Sequence, residues 1–327
     1  MFFNENLEDI IFNRHRIIDS DELVVIAGYL GPGPVERIKE LPFKAKTVYG
    51  MFKAGGIKPA LHTQFVELHN EIDNLEIYYS PTPVHAKCYI WRKERIIQHA
   101  LVGSANFTSN GLRIPFREIL AEITRDTFKP LNQYCNNILE KSFPCLDHVE
   151  KTGGEKVPVQ NATESPSPEI CRMTWLDRKG ETQNAHGINW GLGRGHTTPD
   201  DGCMPVRADH IRKHPLLFPE KQEIPHSENA LGNPRRHNDW IDIIWDDGVR
   251  MTGLLEGVGN VGGRDAKYPK QMTSSPAKSV FGKYVRNRIG VGSGIKVERE
   301  DFERYGRTHI DVSLLSPDVY YLDFSVS

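Results

Sequence analysis

The chain has 327 residues, 38% of them hydrophobic and 26% charged, with a net charge of −2 and a mean hydropathy of −0.49. That length holds two domains of ordinary size and a globular core. No apolar run approaches the ~18 residues of a membrane span, and a near-neutral balance does not by itself announce a nucleic-acid partner.

The opening MFFNENLEDIIFNRH carries acids early and lacks a basic-then-apolar signal layout, so a cytoplasmic location is expected. LVVIAGYL (23–30) reads as a buried strand, broken by Gly31-Pro32-Gly33-Pro34, which opens a helix over PVERIKEL. KTVYGMF (46–52) predicts a second strand. PALHTQFVELHNEI (59–72) predicts an amphipathic helix with Leu61, Phe65, Leu68 and Ile72 on one stripe. LEIYYS, HAKCYIW, RIIQHALVG and EILAEIT follow as strand candidates, then a helix over TFKPLNQYCNNILEKSF (127–143). This β-α-β-α-β opening with further strands predicts an α/β layered domain over 1–147.

Residues 148–168 lack periodicity and are rich in Pro, Gly, Ser and charge, the composition of a linker. Beyond them, over 169–327, short β-runs such as IDIIWDDGVRMTGLLEG, IKVER, HIDVSLL and VYYLDFSV predict a barrel-like β domain. Only HIRKHPLLF and AKSVFGKYVRNRIG read as helical. Between Arg264 and Arg288 stand seven Lys or Arg against one acid, either a solvated helix face or a local phosphate-binding face. Five cysteines (Cys88, Cys135, Cys145, Cys171 and Cys203) form no CxxC, which predicts reduced thiols. Cys203, His210 and His214 lack a fourth ligand at zinc spacing. Four tryptophans, Trp175, Trp190, Trp240 and Trp245, are expected in the core.

The chemistry is concentrated in His85-Ala86-Lys87 and, sixteen residues on, Gly103-Ser104-Ala105-Asn106-Phe107-Thr108. On a strand, residues two apart share a face, so His85 and Lys87 are expected to project together, and Ser104 and Asn106 likewise if their segment is extended. Two such strands set an imidazole, an ammonium, a hydroxyl and an amide around one tetrahedral anion. A neutral imidazole attacks phosphorus, while the other three stabilise the non-bridging oxygens. Glu118 and Glu122 are candidates to hold the second ring nitrogen.

HxK followed by GSxN resembles the signature of the phospholipase D superfamily, over about residues 20–145. The family aspartate seven residues after the histidine falls at Arg92, as in much of the nuclease branch. Phe116-Arg117-Glu118 resembles the closing NxE element with Phe116 in place of Asn. The resemblance carries His85, Lys87, Ser104, Asn106 and Glu118 as catalytic residues, with Glu122 as fallback, and implies no metal and no bound cofactor. None of the other twelve histidines is followed two places later by lysine. Superfamily catalysis takes two HxK motifs, so a homodimer sharing one active site is expected.

Residues 170–327 resemble the B3-like DNA-binding domain, through CMPV leading to HIRKHPLLFP and through MTGLLEG to KYPKQMTSSPAKSVFGKYVRNRIGV. The two domains in this order resemble the NgoFVII type of restriction endonuclease. That resemblance places one DNA arm on 191–202, with Arg194 and His196, and another within 257–275, with Arg264, Lys267, Lys270 and Gln271. Arg grips guanine bidentately, Gln pairs with adenine, and Lys holds guanine or phosphate. Asp200 and Asp201 are read as turn carboxylates.

The expected function is a sequence-specific, metal-independent restriction endonuclease acting on double-stranded DNA. The resemblance also implies a separately encoded helicase-type ATPase that uses ATP, with which the lack of a GxxxxGK[ST] in this chain is consistent. A less specific nuclease or phosphodiesterase of the same superfamily, and a catalytically silent DNA-binding regulator, are the alternatives.

Overall fold

The computed structural model describes residues 1–149, 169–193, 195, 198–221, 238–261 and 266–326. Arg194, His196 and Arg264, and all but the first two residues of the expected linker, lie outside the described residues. The chain divides into two compact units, Met1–Pro168 with Leu315–Pro317, and Glu169–Leu314 with Asp318–Ser327. Among the described residues no helix is long and apolar enough to cross a membrane.

The first unit comprises β1 (Phe2–Phe3), α1 (Leu7–Asn13), β2 (Glu22–Ala27), α2 (Pro32–Glu36), β3 (Lys44–Tyr49), α3 (Phe52–Gly55) and α4 (Pro59–Glu71). It continues with β4 (Leu75–Tyr79), β5 (Cys88–Lys93), β6 (Ile96–Gly103), α5 (Ser109–Arg113), β7 (Leu120–Glu122), α6 (Phe128–Lys141) and β8 (Phe143–Pro144). One sheet holds the strands in the order β1-β7-β6-β5-β2-β3-β4-β8. The β2, β3 and β4 strands run parallel, and β5 turns antiparallel against β2.

The centre of the sheet is buried on both faces, which is why β2 reads as an unbroken apolar run: Leu23 through Ala27 are all fully buried. On one face, Cys135 and Ile138 of α6 pack with Val24, Ile26, Val48 and Ile90. Each such side chain contributes roughly 1.5–3 kcal/mol when fully buried. Pro32 and Pro59 stand in the first turns of α2 and α4, where a missing N–H costs nothing. Leu61, Phe65 and Leu68 of α4 are fully buried, as the stripe predicts.

Three expected strands are shorter than their apolar runs. The β2 strand stops at Ala27, β3 stops at Tyr49, and β5 begins only at Cys88, leaving His85 and Lys87 ahead of it. The truncations fall together, where the chain leaves the sheet to build irregular backbone.

The second unit comprises β9 (Cys171–Thr174), β10 (Met204–Pro205), α7 (Ala208–Lys213), β11 (Asp239–Trp245), β12 (Arg250–Glu256), β13 (Gly259–Asn260) and β14 (Lys267–Tyr268). Then come β15 (Gln271–Ser274), α8 (Lys278–Ile289), α9 (Arg299–Tyr305), β16 (His309–Ser316) and β17 (Val319–Asp323). Seven strands form a sheet in the order β10-β15-β12-β11-β17-β16-β9. Its outer strands β10 and β9 approach each other, so the sheet is nearly closed and barrel-like. Arg207, just after β10, donates to the carbonyls of Thr174 and Leu176 at the end of β9 and pins that approach.

IKVER, expected as a strand, is not one: Arg299 opens α9. Glu298 and Asp301 cap that helix reciprocally, the Glu298 N–H donating to Asp301 Oδ2 at 2.8 Å, and this local pairing outweighs the β-run's apolar residues. Trp175 and Trp245 are buried, Trp175 stacking on Phe302 at 5.1 Å. Trp190 and Trp240 are only half-buried, contrary to the expectation of core positions.

Candidate active site and nucleic-acid interface

Four neighbouring strands end together. The registers Ile26↔Cys88, Cys88↔Val102 and Gly103↔Leu120 bring the end of β2, the start of β5, the end of β6 and the start of β7 to one end of the sheet. His85, Lys87, Ser104, Asn106 and Glu118 all lie in the segments that leave these four ends.

His85 and Lys87 do not share a strand face. His85 is exposed, whereas Lys87 is only 6% exposed. The Lys87 ammonium folds back to donate to the His85 carbonyl at 2.8 Å. Burial lowers its pKa below the ordinary lysine value, opposed by the nearby Glu118 carboxylate. The imidazole of His85 lies over Gly28 and edge-on to Tyr29.

The GSANFT run leaves β6 in an alternating pattern. Ala105 and Phe107 are fully buried, while Ser104 is exposed and Asn106 half-buried. The buried Tyr89 hydroxyl donates to the Ala105 carbonyl at 2.8 Å and holds the run from below. Ser104 is clamped to Ile119: its N–H donates to the Ile119 carbonyl at 3.0 Å, and its Oγ accepts from the Ile119 N–H at 3.1 Å. Asn106 Oδ1 accepts from the Tyr29 N–H at 3.3 Å, which leaves the amide NH2 as the end able to face an anion. Thr108 Oγ1 then accepts from the Gly111 N–H at 3.1 Å and caps α5.

Glu122, the fallback, is committed elsewhere. It pairs with Arg14 and the chain's amino terminus and lies 3.7 Å from His99. His99 accepts from Arg14 Nε at 2.9 Å, and burial together with Arg14 pushes it down to about 4. Arg92 is also remote: it pairs in register with Glu22, at the opposite end of β2 from the site, with the charges 3.6 Å apart.

In the second unit a cavity of about 1000 Å³ is lined by Arg178, Lys179, Trp190, Arg212, Lys270 and Gln271, among others. Lys270 is exposed at its rim, its stem laid over Gly257 and Gly259, where added Cβ atoms would come within 3.2 and 3.0 Å of it. Lys267 lies on β14, which pairs with β13 in a two-stranded hairpin.

Gln271, expected to read a base, is turned inward. Its Nε2 donates to Glu256 at 2.6 Å and its Oε1 accepts from the Cys203 thiol at 3.4 Å. Lys278 pairs with the same Glu256 at 2.6 Å and lies 5.1 Å from the Trp190 ring centre. The basic run is not one solvated face either. Arg286 is buried and donates to the Ile188 carbonyl, and Arg288 pairs with Asp246 at 2.6 Å. Asp201 is a turn carboxylate, accepting from Thr198 three residues before it; Asp200 is instead buried and accepts from Ser293 and Gly294, far along the chain.

Two family models match this chain. The NgoFVII restriction endonuclease N-terminal PLD domain matches residues 5–151, and the NgoFVII C-terminal B3-like DNA-binding domain matches residues 165–316. The chain belongs to the NgoFVII restriction endonuclease family. No curated protein matches it. Among solved structures, NucT from Helicobacter pylori is similar at 12% identity and a TM-score of 0.32, over 42% of this chain and 89% of that one. Nuc from Salmonella typhimurium, a phospholipase D family member, is similar at 12% identity and a TM-score of 0.29, over 42% and 88%. Polyphosphate kinase from Porphyromonas gingivalis is similar at 11% identity and a TM-score of 0.31, over 49% and 26%. The assignment rests on the family models alone.

Membership of the NgoFVII family joins a phospholipase D-like nuclease domain to a B3-like DNA-binding domain and makes the chain a DNA phosphodiester hydrolase. Phe116, which stands where the phospholipase D closing element has Asn, adopts a left-handed φ of 61°, a conformation that Asn takes far more readily than Phe. Gly28 and Tyr29 carry no motif, and their only signal in the sequence is a glycine ending an apolar strand. Arg178, Lys179 and Arg212 line the second unit's cavity from segments outside both expected arms, and nothing in their local sequence marks them.

Proposed function

We propose that this chain is a sequence-specific, metal-independent endonuclease that cleaves DNA through a phosphohistidine on His85, in an active site shared by two copies. The observation that carries the reading is the convergence of one HxK pair and one GSxN run at a single sheet end, with no second pair in the sequence.

The neutral imidazole of His85 attacks phosphorus, a P–N bond forms and the P–O bond to the leaving strand breaks. The leaving oxygen takes its proton from the imidazolium of His85 of the partner subunit. Water then attacks the phosphohistidine and gives its proton to that imidazole, and the P–N bond breaks to regenerate both histidines. Lys87, Ser104 and Asn106 hold the non-bridging oxygens, an ammonium and two neutral donors matching the charge that builds on phosphorus. Glu118, beside Lys87, offsets the ammonium's desolvation and is the carboxylate available to the site. The second unit selects the sequence, with Lys270 and Lys267 on the DNA-facing side. Arg194, His196 and Arg264 complete its arms in this reading. A separately encoded helicase-type ATPase supplies ATP-driven steps in this reading.

The test has two arms, each for wild type and His85→Ala: hydrolysis of a small phosphodiester by the chain alone in EDTA, and plasmid cleavage in Mg2+ with and without the partner ATPase and ATP. Discrete fragments that vanish in the variant, with a trapped acid-labile phosphoprotein in the wild type, support the proposal. Loss of small-phosphodiester hydrolysis by the chain in EDTA, or cutting by His85→Ala, refutes it.

A further inference from the structure

The end of β2 contributes a third wall to the active site that neither motif contains. A Cβ built on Gly28 would lie 2.8 Å from His85 Cδ2, and 3.4 Å from both His85 Nε2 and Asn106 Oδ1. The missing side chain is therefore the space into which the Cδ2–Nε2 edge of the imidazole fits. Gly28 is not among the glycines with positive φ, so backbone freedom is not what glycine supplies here. The next residue reaches both motifs. The Tyr29 N–H donates to Asn106 Oδ1 at 3.3 Å, and its ring meets His85 edge-on at 6.2 Å and 81°. Tyr29 is itself braced edge-on by the buried Tyr49, at 6.0 Å and 79°.

We propose that Gly28 and Tyr29 are positioning residues for phosphoryl transfer: Gly28 sets the height of the His85 imidazole, and Tyr29 fixes both its tilt and the orientation of the Asn106 amide. This rests on the reading of His85 as nucleophile. In-line attack tolerates little error in the nucleophile's position, and a displacement of about 1 Å costs on the order of 10²-fold in rate. The exposed His85 ring can swing away from an added methyl, so Gly28→Ala harms catalysis while sparing the fold.

The experiment uses the full-length chain. Gly28→Ala is expected to lower kcat about 10²-fold, with DNA Kd and Tm nearly unchanged and the His85 ring NMR resonances of the free protein shifted. Tyr29→Ala, which keeps the backbone N–H but removes the ring, is expected to lower kcat comparably, and Tyr29→Phe, which keeps the ring, to restore it. Full kcat in Gly28→Ala, unshifted His85 resonances, or equal loss in Tyr29→Phe and Tyr29→Ala overturns the proposal. His85→Ala separates the two levels. If it still cuts, the nucleophile reading fails, and the resonances then decide alone whether Gly28 and Tyr29 set the ring.

Discussion

The Lys87 ammonium sits 2.8 Å from the carbonyl oxygen of His85, so the second member of the HxK pair reaches the site by folding back over the first. A spacing of two residues makes this possible, and burial of Lys87 holds the ammonium in place. Lys87→Met is expected to lower kcat by about 10²–10³-fold with DNA Kd unchanged. Lys87→Arg should not rescue it, because a planar guanidinium does not replace a compact point charge. Since burial lowers the lysine's pKa, the alkaline decline of kcat should set in below the ordinary 10.5. A pH–rate profile on a small phosphodiester reads this directly.

Glu118 and Glu122 separate by role. Glu118→Gln should reduce cleavage and shift that alkaline limb downward, since it removes the carboxylate that raises the Lys87 pKa. Glu122→Gln should lower Tm through loss of the Arg14 pair while leaving single-turnover cleavage near wild type. Melting and single-turnover rates for the two variants decide it; the reverse pattern would mean the carboxylates have been assigned the wrong way round.

If the site is shared, each copy supplies one of two required histidines. Mixing equal amounts of wild type and His85→Ala, with subunit exchange, should leave about a quarter of the dimers intact and activity should fall accordingly. A simple halving would point to independent sites. Equilibrium sedimentation of the wild type checks the dimer itself.

Acid should destabilise both units. His99 and His210 are held neutral, each pushed down to about 4, by burial first and then by Arg14 and Arg207 respectively. The unfolded histidines take protons near the ordinary 6.5, so the unfolded state binds more protons between about 4 and 6.5. Stability is thus expected to fall as pH drops through that window and to lose this dependence below it. Urea midpoints across the range, with His99→Gln and His210→Gln each flattening part of the slope, are the measurement.

DNA binding should depend on Lys270 more than on Gln271. Lys270→Ala is expected to weaken binding across sequences and to reduce the salt slope by about 1. Gln271→Ala should leave the preferred sequence unchanged, because its amide is held by Glu256 and Cys203. Titrations at several salt concentrations, with matched and mismatched duplexes, test both; a changed base preference in Gln271→Ala would show that the side chain turns outward on DNA.

What was legible in the sequence was local. Apolar runs mark the strands of the first sheet, a stripe marks α4, and the short motifs single out His85, Lys87, Ser104 and Asn106, since periodicity and spacing report which side chains a backbone segment buries or presents. Helix α9 is not legible because its N-cap, Glu298, lies inside the run IKVER while its capping partner Asp301 lies just beyond it. Exposure was also misjudged for Trp190, Gln271 and Arg288, whose partners are distant in sequence.

The sequence by itself determined that one HxK pair and one GSxN run exist, and that there is no second copy of either. Only the tertiary structure decided that β5 starts after Lys87, that Glu122 belongs to Arg14 rather than to the site, and that Gly28 lies under the imidazole. Those outcomes depend on strand register and on packing between segments far apart in the chain, and local patterns carry no information about which ends a folded sheet will bring together.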